Sequence, residues 1–127
     1  MEKTIIIADD HEILRELTEN YLKATLDGNY LFEHISNGKA LDKRLNYGCS
    51  GIVLAIVDRH MPPDPDGEEI IKRYAREIPI IFYYDPSGVD DAPGKRALEN
   101  GARAYFLKPN YEGVAKIARQ ILEPLEA

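Results

Sequence analysis

Ile52-Val53-Leu54-Ala55-Ile56-Val57-Asp58 is an unbroken apolar run closed by a carboxylate. A strand without polar alternation is what a sheet covered on both faces requires. The plan recurs along the chain. Ile5-Ile6-Ile7-Ala8 ends at Asp9-Asp10, and Ala104-Tyr105-Phe106-Leu107 ends at Lys108. Lys3 to Ala8, Tyr30 to Ile35, Ile52 to Val57, Ile80 to Tyr84 and Ala104 to Leu107 read as five strands, the middle three apolar runs being nearly unalternated. Ile13, Leu14, Leu17, Tyr21 and Leu22 fall at helical spacing between the first two, and Ala40, Leu41 and Leu45 mark a shorter helix. Ile70, Ile71 and Tyr74 mark the next, Leu98 and Ala102 a fourth, and Val114, Ile117, Ala118, Ile121 and Leu122 a fifth. Alternating strands and helices predict an α/β domain with a parallel sheet.

The punctuation agrees. Asp27-Gly28-Asn29, Asn37-Gly38, Gly48 to Gly51, Pro62 to Gly67, Asp85 to Gly94 and Asn100-Gly101 all lie between elements. Two connections are long, Arg59 to Asp66 after the third strand and Asp85 to Asp91 after the fourth. Both belong to the carboxyl edge of the sheet, where open α/β sheets bind ligands.

The chain of 127 residues is one domain's worth, with 44% hydrophobic and 30% charged residues. No apolar run approaches the roughly 20 residues that span a bilayer, so no membrane association is expected. Met1-Glu2-Lys3-Thr4 leads directly into a strand, which predicts no secretory signal. Cys49 stands alone, excluding an intramolecular disulfide and a cysteine-based zinc site, and the expected compartment is a reducing cytoplasm. A formal net charge of −6 argues against direct binding of nucleic acid, whose affinity comes largely from Lys and Arg neutralising phosphates.

Asp9, Asp10 and Asp58 close strands at what should be the same edge, and Lys108 closes another. Three carboxylates brought together repel one another unless a hard cation sits among them, and an ammonium beside them suits a doubly charged oxyanion such as phosphate. The pattern points to magnesium-assisted phosphoryl chemistry on a carboxylate.

Asp9-Asp10-His11, Asp58 with Met61-Pro62, and Lys108-Pro109, each at a successive strand end, resemble the receiver domain of two-component response regulators over essentially the whole chain. The resemblance implies a doubly wound, flavodoxin-like (CheY-like) sheet of order 2-1-3-4-5, a single receiver domain over residues 1–127 without an output domain, and a signalling protein rather than an enzyme. It implies that Asp58 accepts a phosphoryl group from a sensor histidine kinase or phosphotransfer protein, and that the protein then changes its contacts with a downstream target. Asp10 would ligate Mg2+ directly, Asp9 mainly through water, and Asp58 and the backbone carbonyl of His60 would complete the protein ligands. Lys108 would pair with the phosphoryl group, Pro109 would follow a cis bond that aims the lysine, and Tyr105 matches the family's mobile aromatic.

Two departures from the family stand out. The fourth strand of a receiver ends in Ser or Thr followed by a small residue, and here those positions hold Tyr84 and Asp85. A hydrogen bond to a charged group is worth roughly 1.5 to 3 kcal/mol, so its loss weakens coupling between phosphorylation and switching by about ten- to a hundredfold. Asp85 turned inward, about 5 Å from a phosphoryl group, would repel it by roughly 3 kcal/mol per charge at an effective dielectric near 20; turned outward, it would cap the following loop. Ser87 would supply a hydroxyl only in a shifted register. The second departure is Met61-Pro62-Pro63-Asp64-Pro65-Asp66-Gly67, one residue longer than the usual turn and stiffened by three prolines, either a neutral insertion or a selector of the kinase.

The remaining features have plainer readings. His11, His34 and His60 are not spaced as a metal site, and His60 is the histidine expected nearest the chemistry. Glu68-Glu69 with Lys72-Arg73 reads as a solvated, self-paired helix face. Tyr83, Tyr84 and Tyr105 are expected to cluster on the face of the fourth helix, fifth strand and fifth helix, as a docking or homodimer surface or as an ordinary half-buried edge. Other functions fit less well. An aspartyl phosphatase would need an acid where His60 stands, and a flavin phosphate would be repelled by Asp9-Asp10-His11-Glu12. The alternative that the departures favour is a degenerate receiver acting as an interaction module independent of phosphorylation.

Overall fold

The structure is a computed structural model that describes residues 2–86 and 91–125. Ser87 and most of the loop after the fourth strand lie outside the described residues. Strands β1 (Thr4–Ala8), β2 (Leu31–Ile35), β3 (Ile52–Val57), β4 (Ile80–Tyr84) and β5 (Ala104–Leu107) alternate with helices α1 (Glu12–Thr25), α2 (Gly38–Tyr47), α3 (Gly67–Tyr74), α4 (Ala92–Glu99) and α5 (Tyr111–Leu122). All strand pairs are parallel, in the order β2-β1-β3-β4-β5, as expected. The first two strands begin one residue later than the apolar runs suggested. Lys3 instead accepts the Leu31 N–H from just outside the sheet.

The core has two layers because side chains alternate across each strand. Ile6, Ala8, Ala55, Val57, Phe82 and Tyr84 face α2, α3 and α4. Ile5, Ile7, Leu54, Ile56, Ile81 and Tyr83 face α1 and α5. Every residue of β4 is buried, whereas β2 is half-exposed. The strands covered on both faces are therefore β1, β3 and β4, not the middle three in sequence, because the crossover from β2 back past β1 puts β2 on an edge.

Three helices depart from their patterns. In α1 the buried residues are Thr18 and Leu22, while Ile13 is 71% exposed and Leu17 and Tyr21 also reach solvent. The apolar set on α1 is wider than the face that packs on the sheet. Helix α4 ends at Glu99, so Ala102 is buried in the turn before β5 rather than in the helix, and Leu98 is exposed. Helix α2 is longer than its weak pattern suggested, starting at Gly38 behind an Asn37 cap that accepts the Ala40 N–H.

That cap is where the proline loop lands. Gly38 N–H donates to the Met61 carbonyl at 2.7 Å and Lys39 N–H to the Pro63 carbonyl at 3.0 Å, satisfying donors that a helix start leaves open. A Cβ at position 38 would meet the Pro65 carbonyl oxygen at 1.7 Å. The extra loop residue is thus docked on the first turn of α2. In an unconstrained helix Gly to Ala gains up to about 1 kcal/mol. Here Gly38→Ala should instead destabilise by about 1 to 3 kcal/mol, the range for forced overpacking, as read by urea denaturation. A variant as stable as the native protein would show that the loop moves freely off α2.

Candidate functional site

Parallel pairing brings the charged strand ends together. Ala8 and Val57 are register partners, and the Asp58 N–H donates to the Ala8 carbonyl, so Asp9 and Asp58 leave adjacent central strands side by side. Tyr84 and Leu107 are partners likewise, and the Lys108 N–H donates to the Tyr84 carbonyl. The approach of α3 tightens the edge, since a Cβ at Gly67 would lie 2.0 Å from the Asp58 carbonyl oxygen. Asp66 caps that helix, accepting the Glu69 N–H.

Asp9 and Asp58 are 5% and 6% exposed. The Lys108 ammonium, equally buried, bonds Asp9 Oδ2 and lies 3.3 Å from Asp58 Oδ1, with its charge 5.6 Å from the Tyr83 ring centroid. The peptide bond between Lys108 and Pro109 is cis. Asp58 Oδ1 also accepts the Arg59 N–H at 2.7 Å. Among the described residues no hydrogen bond to Asp58 Oδ2 is present.

Asp10 stands at the mouth, exposed, with its Oδ1 3.0 Å from His11 Nδ1. Asp9 Oδ1 accepts the His11 N–H and lies 3.1 Å from the same ring nitrogen. Asp10 does not cap α1: the N-cap is His11, without a side-chain cap bond. The histidine against the carboxylates is therefore His11 and not His60, whose side chain is exposed in the loop after β3. His11's place was legible only as adjacency to the acidic pair. Ligand atoms of Asp9, Asp10, His11 and Asp58 lie within 4.8 Å of one another, so the donor set fits a small divalent cation.

Burial raises the Asp58 carboxyl to about 6 from an ordinary 3.8, with Lys108 opposing and Asp9 adding to the rise. Burial alone would lower the Lys108 ammonium, but Asp9 and Asp58 outweigh it and hold the lysine above its usual range.

The switch positions behave differently from one another. Tyr84 is 1% exposed, its ring stacked on Phe82 at 4.6 Å and its hydroxyl accepting the Gly94 N–H at 2.9 Å. It points towards α4. Asp85 is exposed, so solvent screens its charge. Tyr105, half-buried, covers Gly94, where a Cβ would come within 2.2 Å of its ring, and donates its hydroxyl to Asp91. Tyr83 and Tyr84 do not cluster. Consecutive strand residues face opposite ways, so Tyr83 packs edge-on to Tyr111 and accepts the Asn110 N–H on the α5 side.

Sequence reasoning missed one group entirely. Glu68, read as part of a solvated helix face, leaves that face to bond Arg59 on one side and Arg96 of α4 on the other. Glu69 alone makes the expected intrahelical pair, with Arg73. Only tertiary contact brings Arg59 and Arg96 to the same carboxylate.

No family model matches the chain, and no curated protein matches it in sequence. Solved structures do match, and they are nearly all receiver domains of response regulators. The BeF3-activated DrrB receiver domain is 23% identical, with a TM-score of 0.77 over 97% of this chain and 99% of that one. The phosphorylated cyanobacterial phytochrome response regulator RcpA is 16% identical, with a TM-score of 0.82 over 99% and 98%. The Mn2+-bound response regulator Rcp1 is 19% identical, with a TM-score of 0.78 over 98% and 97%. The protein thus has the flavodoxin-like, CheY-like fold of receiver domains from end to end.

A raised Asp58 sets a sign for stability against pH. Between pH 4 and 6 in the absence of metal, the native state holds a proton that the unfolded chain has released, so stability from this group falls as pH rises and is lost by the folded pKa. In a chelator, Asp58→Asn should lack that slope and exceed the native protein by about 3 kcal/mol above pH 6, at about 1.4 kcal/mol per pKa unit. Urea midpoints across this range read the difference. Parallel curves for the two proteins would refute a raised Asp58 carboxyl.

Proposed function

We propose that the protein is a response-regulator receiver that takes a phosphoryl group on Asp58 from a phosphohistidine of a sensor kinase or phosphotransfer protein. The convergence of Asp9, Asp10, Asp58 and Lys108 at the carboxyl edge of the sheet supports it above all. Asp9, Asp10, Asp58 and the His60 carbonyl would hold a divalent cation, Mg2+ in this reading, which supplies positive charge to the phosphoryl oxygens. An oxygen of Asp58 attacks phosphorus in line, the new P–O bond replaces the P–N bond, and the donor imidazole departs with the electron pair and takes up a proton. Oδ2 suits the attack, since the hydrogen bonds described above fall on Oδ1. Lys108 moves from the carboxylates towards the incoming charge, and holds it by a charge-assisted hydrogen bond. In this reading the protein acts in a phosphorelay in the cytoplasm, as a signalling domain rather than an enzyme, through protein contacts and not through nucleic acid.

Exposed Ile13 and Leu17, in the first turns after the acidic pair, suit the apolar surface of a phosphoryl donor. Leu98 and Leu107 offer a smaller apolar surface for a downstream target or a second copy at α4, β5 and α5.

The burial of Tyr84 favours a second reading, a receiver fold working as an interaction module without phosphorylation. Its hydroxyl is held at α4, where it accepts the Gly94 N–H, and among the described residues it makes no hydrogen bond to Asp58.

Incubation with acetyl phosphate and Mg2+ should add the mass of one phosphate to the native protein and none to Asp58→Ala. Omission of Mg2+ should abolish the gain. No gain in the native protein, under conditions that label a control receiver, selects the interaction module.

A further inference from the structure

Helix α4 packs Ala97 into the core and is also tied to the rest of the domain by side-chain contacts that differ in kind. Tyr84 holds the Gly94 N–H, Tyr105 packs on Gly94 and bonds Asp91, and Glu68 of α3 bonds Arg96. The first is a neutral, buried hydrogen bond whose ring is packed on Phe82. The second joins α4 to β5 and does not reach Asp58. The third is ionic. Glu68 Oε1 accepts from Arg96 Nε at 2.8 Å, and Oε2 accepts from Arg96 at 3.2 Å and from Arg59 Nε at 3.1 Å. Arg59 follows Asp58 directly, and its own N–H bonds the Asp58 carboxylate.

We propose that Glu68 is the positioning residue through which charge on Asp58 reaches α4, by sharing its carboxylate between Arg59 and Arg96, in place of the relay that a hydroxyl at position 84 would provide. The inference rests on the receiver reading and concerns the regulation of that same site. The Arg59 guanidinium is held on Glu68 while its backbone N–H is on Asp58. A phosphoryl group would bring the charge on Asp58, one residue before Arg59, to about −2, and a guanidinium that turned to it would exchange a single carboxylate for a stronger oxyanion. Glu68 is only 17% exposed at its side chain, and Arg96 together with Arg59 holds its carboxyl below the usual range against the cost of burial. Partner exchange by Arg59 therefore leaves Glu68 to Arg96 alone and resets the seat of α4. Tyr84 cannot do this, because its one polar atom faces α4 and carries no charge that the phosphoryl group would pull. The two-state element is the Arg59–Glu68 contact, made before phosphorylation and broken after it.

The test compares the native protein with Glu68→Gln and Tyr84→Phe, isotopically labelled, before and after beryllium fluoride with Mg2+ as the phosphoryl mimic. Amide signals of Gly94 to Leu98 should shift in the native protein, keep most of that shift in Tyr84→Phe, and lose most of it in Glu68→Gln. Intact mass after acetyl phosphate should show the same phosphate uptake in Glu68→Gln as in the native protein. Uptake with an unchanged α4 response in Glu68→Gln overturns the inference alone, as does a native protein that is phosphorylated without any α4 response. Absence of phosphate uptake in the native protein overturns the receiver reading, and this inference with it.

Discussion

The ammonium of Lys108 lies between two carboxylates that the fold has taken out of water, and the carboxyl edge of the sheet is arranged around that contact. Charges this buried persist only when paired. One ammonium against Asp9 and Asp58 leaves an excess of negative charge, and Asp10 at the mouth adds to it. Burial raises the Asp58 carboxyl, and the neighbouring Asp9 charge adds to the rise against Lys108. In the proposed reading a divalent cation would offset the negative excess from outside, and a phosphoryl group would change it again. The site is therefore unbalanced in charge but fixed in geometry, the combination that the proposed switch would use.

The fixed geometry comes from close backbone approaches. Gly67 lets α3 start against the Asp58 carbonyl, and Gly38 lets the proline loop close over the start of α2. The loop after β3 is held at both ends by these contacts, with Arg59 and Glu68 on either side of it. The loop's extra residue is thereby absorbed into packing against α2.

Tyr84 changes how such a site can communicate. A tyrosine at the end of β4 fills the space between the sheet and α4 with a ring, and spends its hydroxyl on a helix N–H. Period-2 alternation sends Tyr83 to the opposite layer, so the aromatic residues that look like one patch in sequence serve two faces. Among the described residues, an ionic contact through Glu68 also runs from Arg59, next to Asp58, to α4, and it responds to charge as a neutral hydroxyl does not.

Much of the fold was legible in the chain itself. Five apolar runs alternating with helical patterns set the strands and their parallel sense, and the three that end at Asp9, Asp58 and Lys108 set the convergence of those side chains, because parallel strands end on one edge. Strand order followed from the resemblance to receivers rather than from the runs, and it was the order that made β2 an edge. Tertiary structure alone decided which apolar residues of α1 stay in solvent, that His11 rather than His60 lies against the carboxylates, that Asp85 turns out and Tyr84 turns in, and that Glu68 bridges two arginines. The physical reason is range. Periodicity and burial are local properties of a chain, whereas the partner of a long charged side chain is chosen among residues 9 and 28 positions away, and only packing brings those within hydrogen-bonding distance.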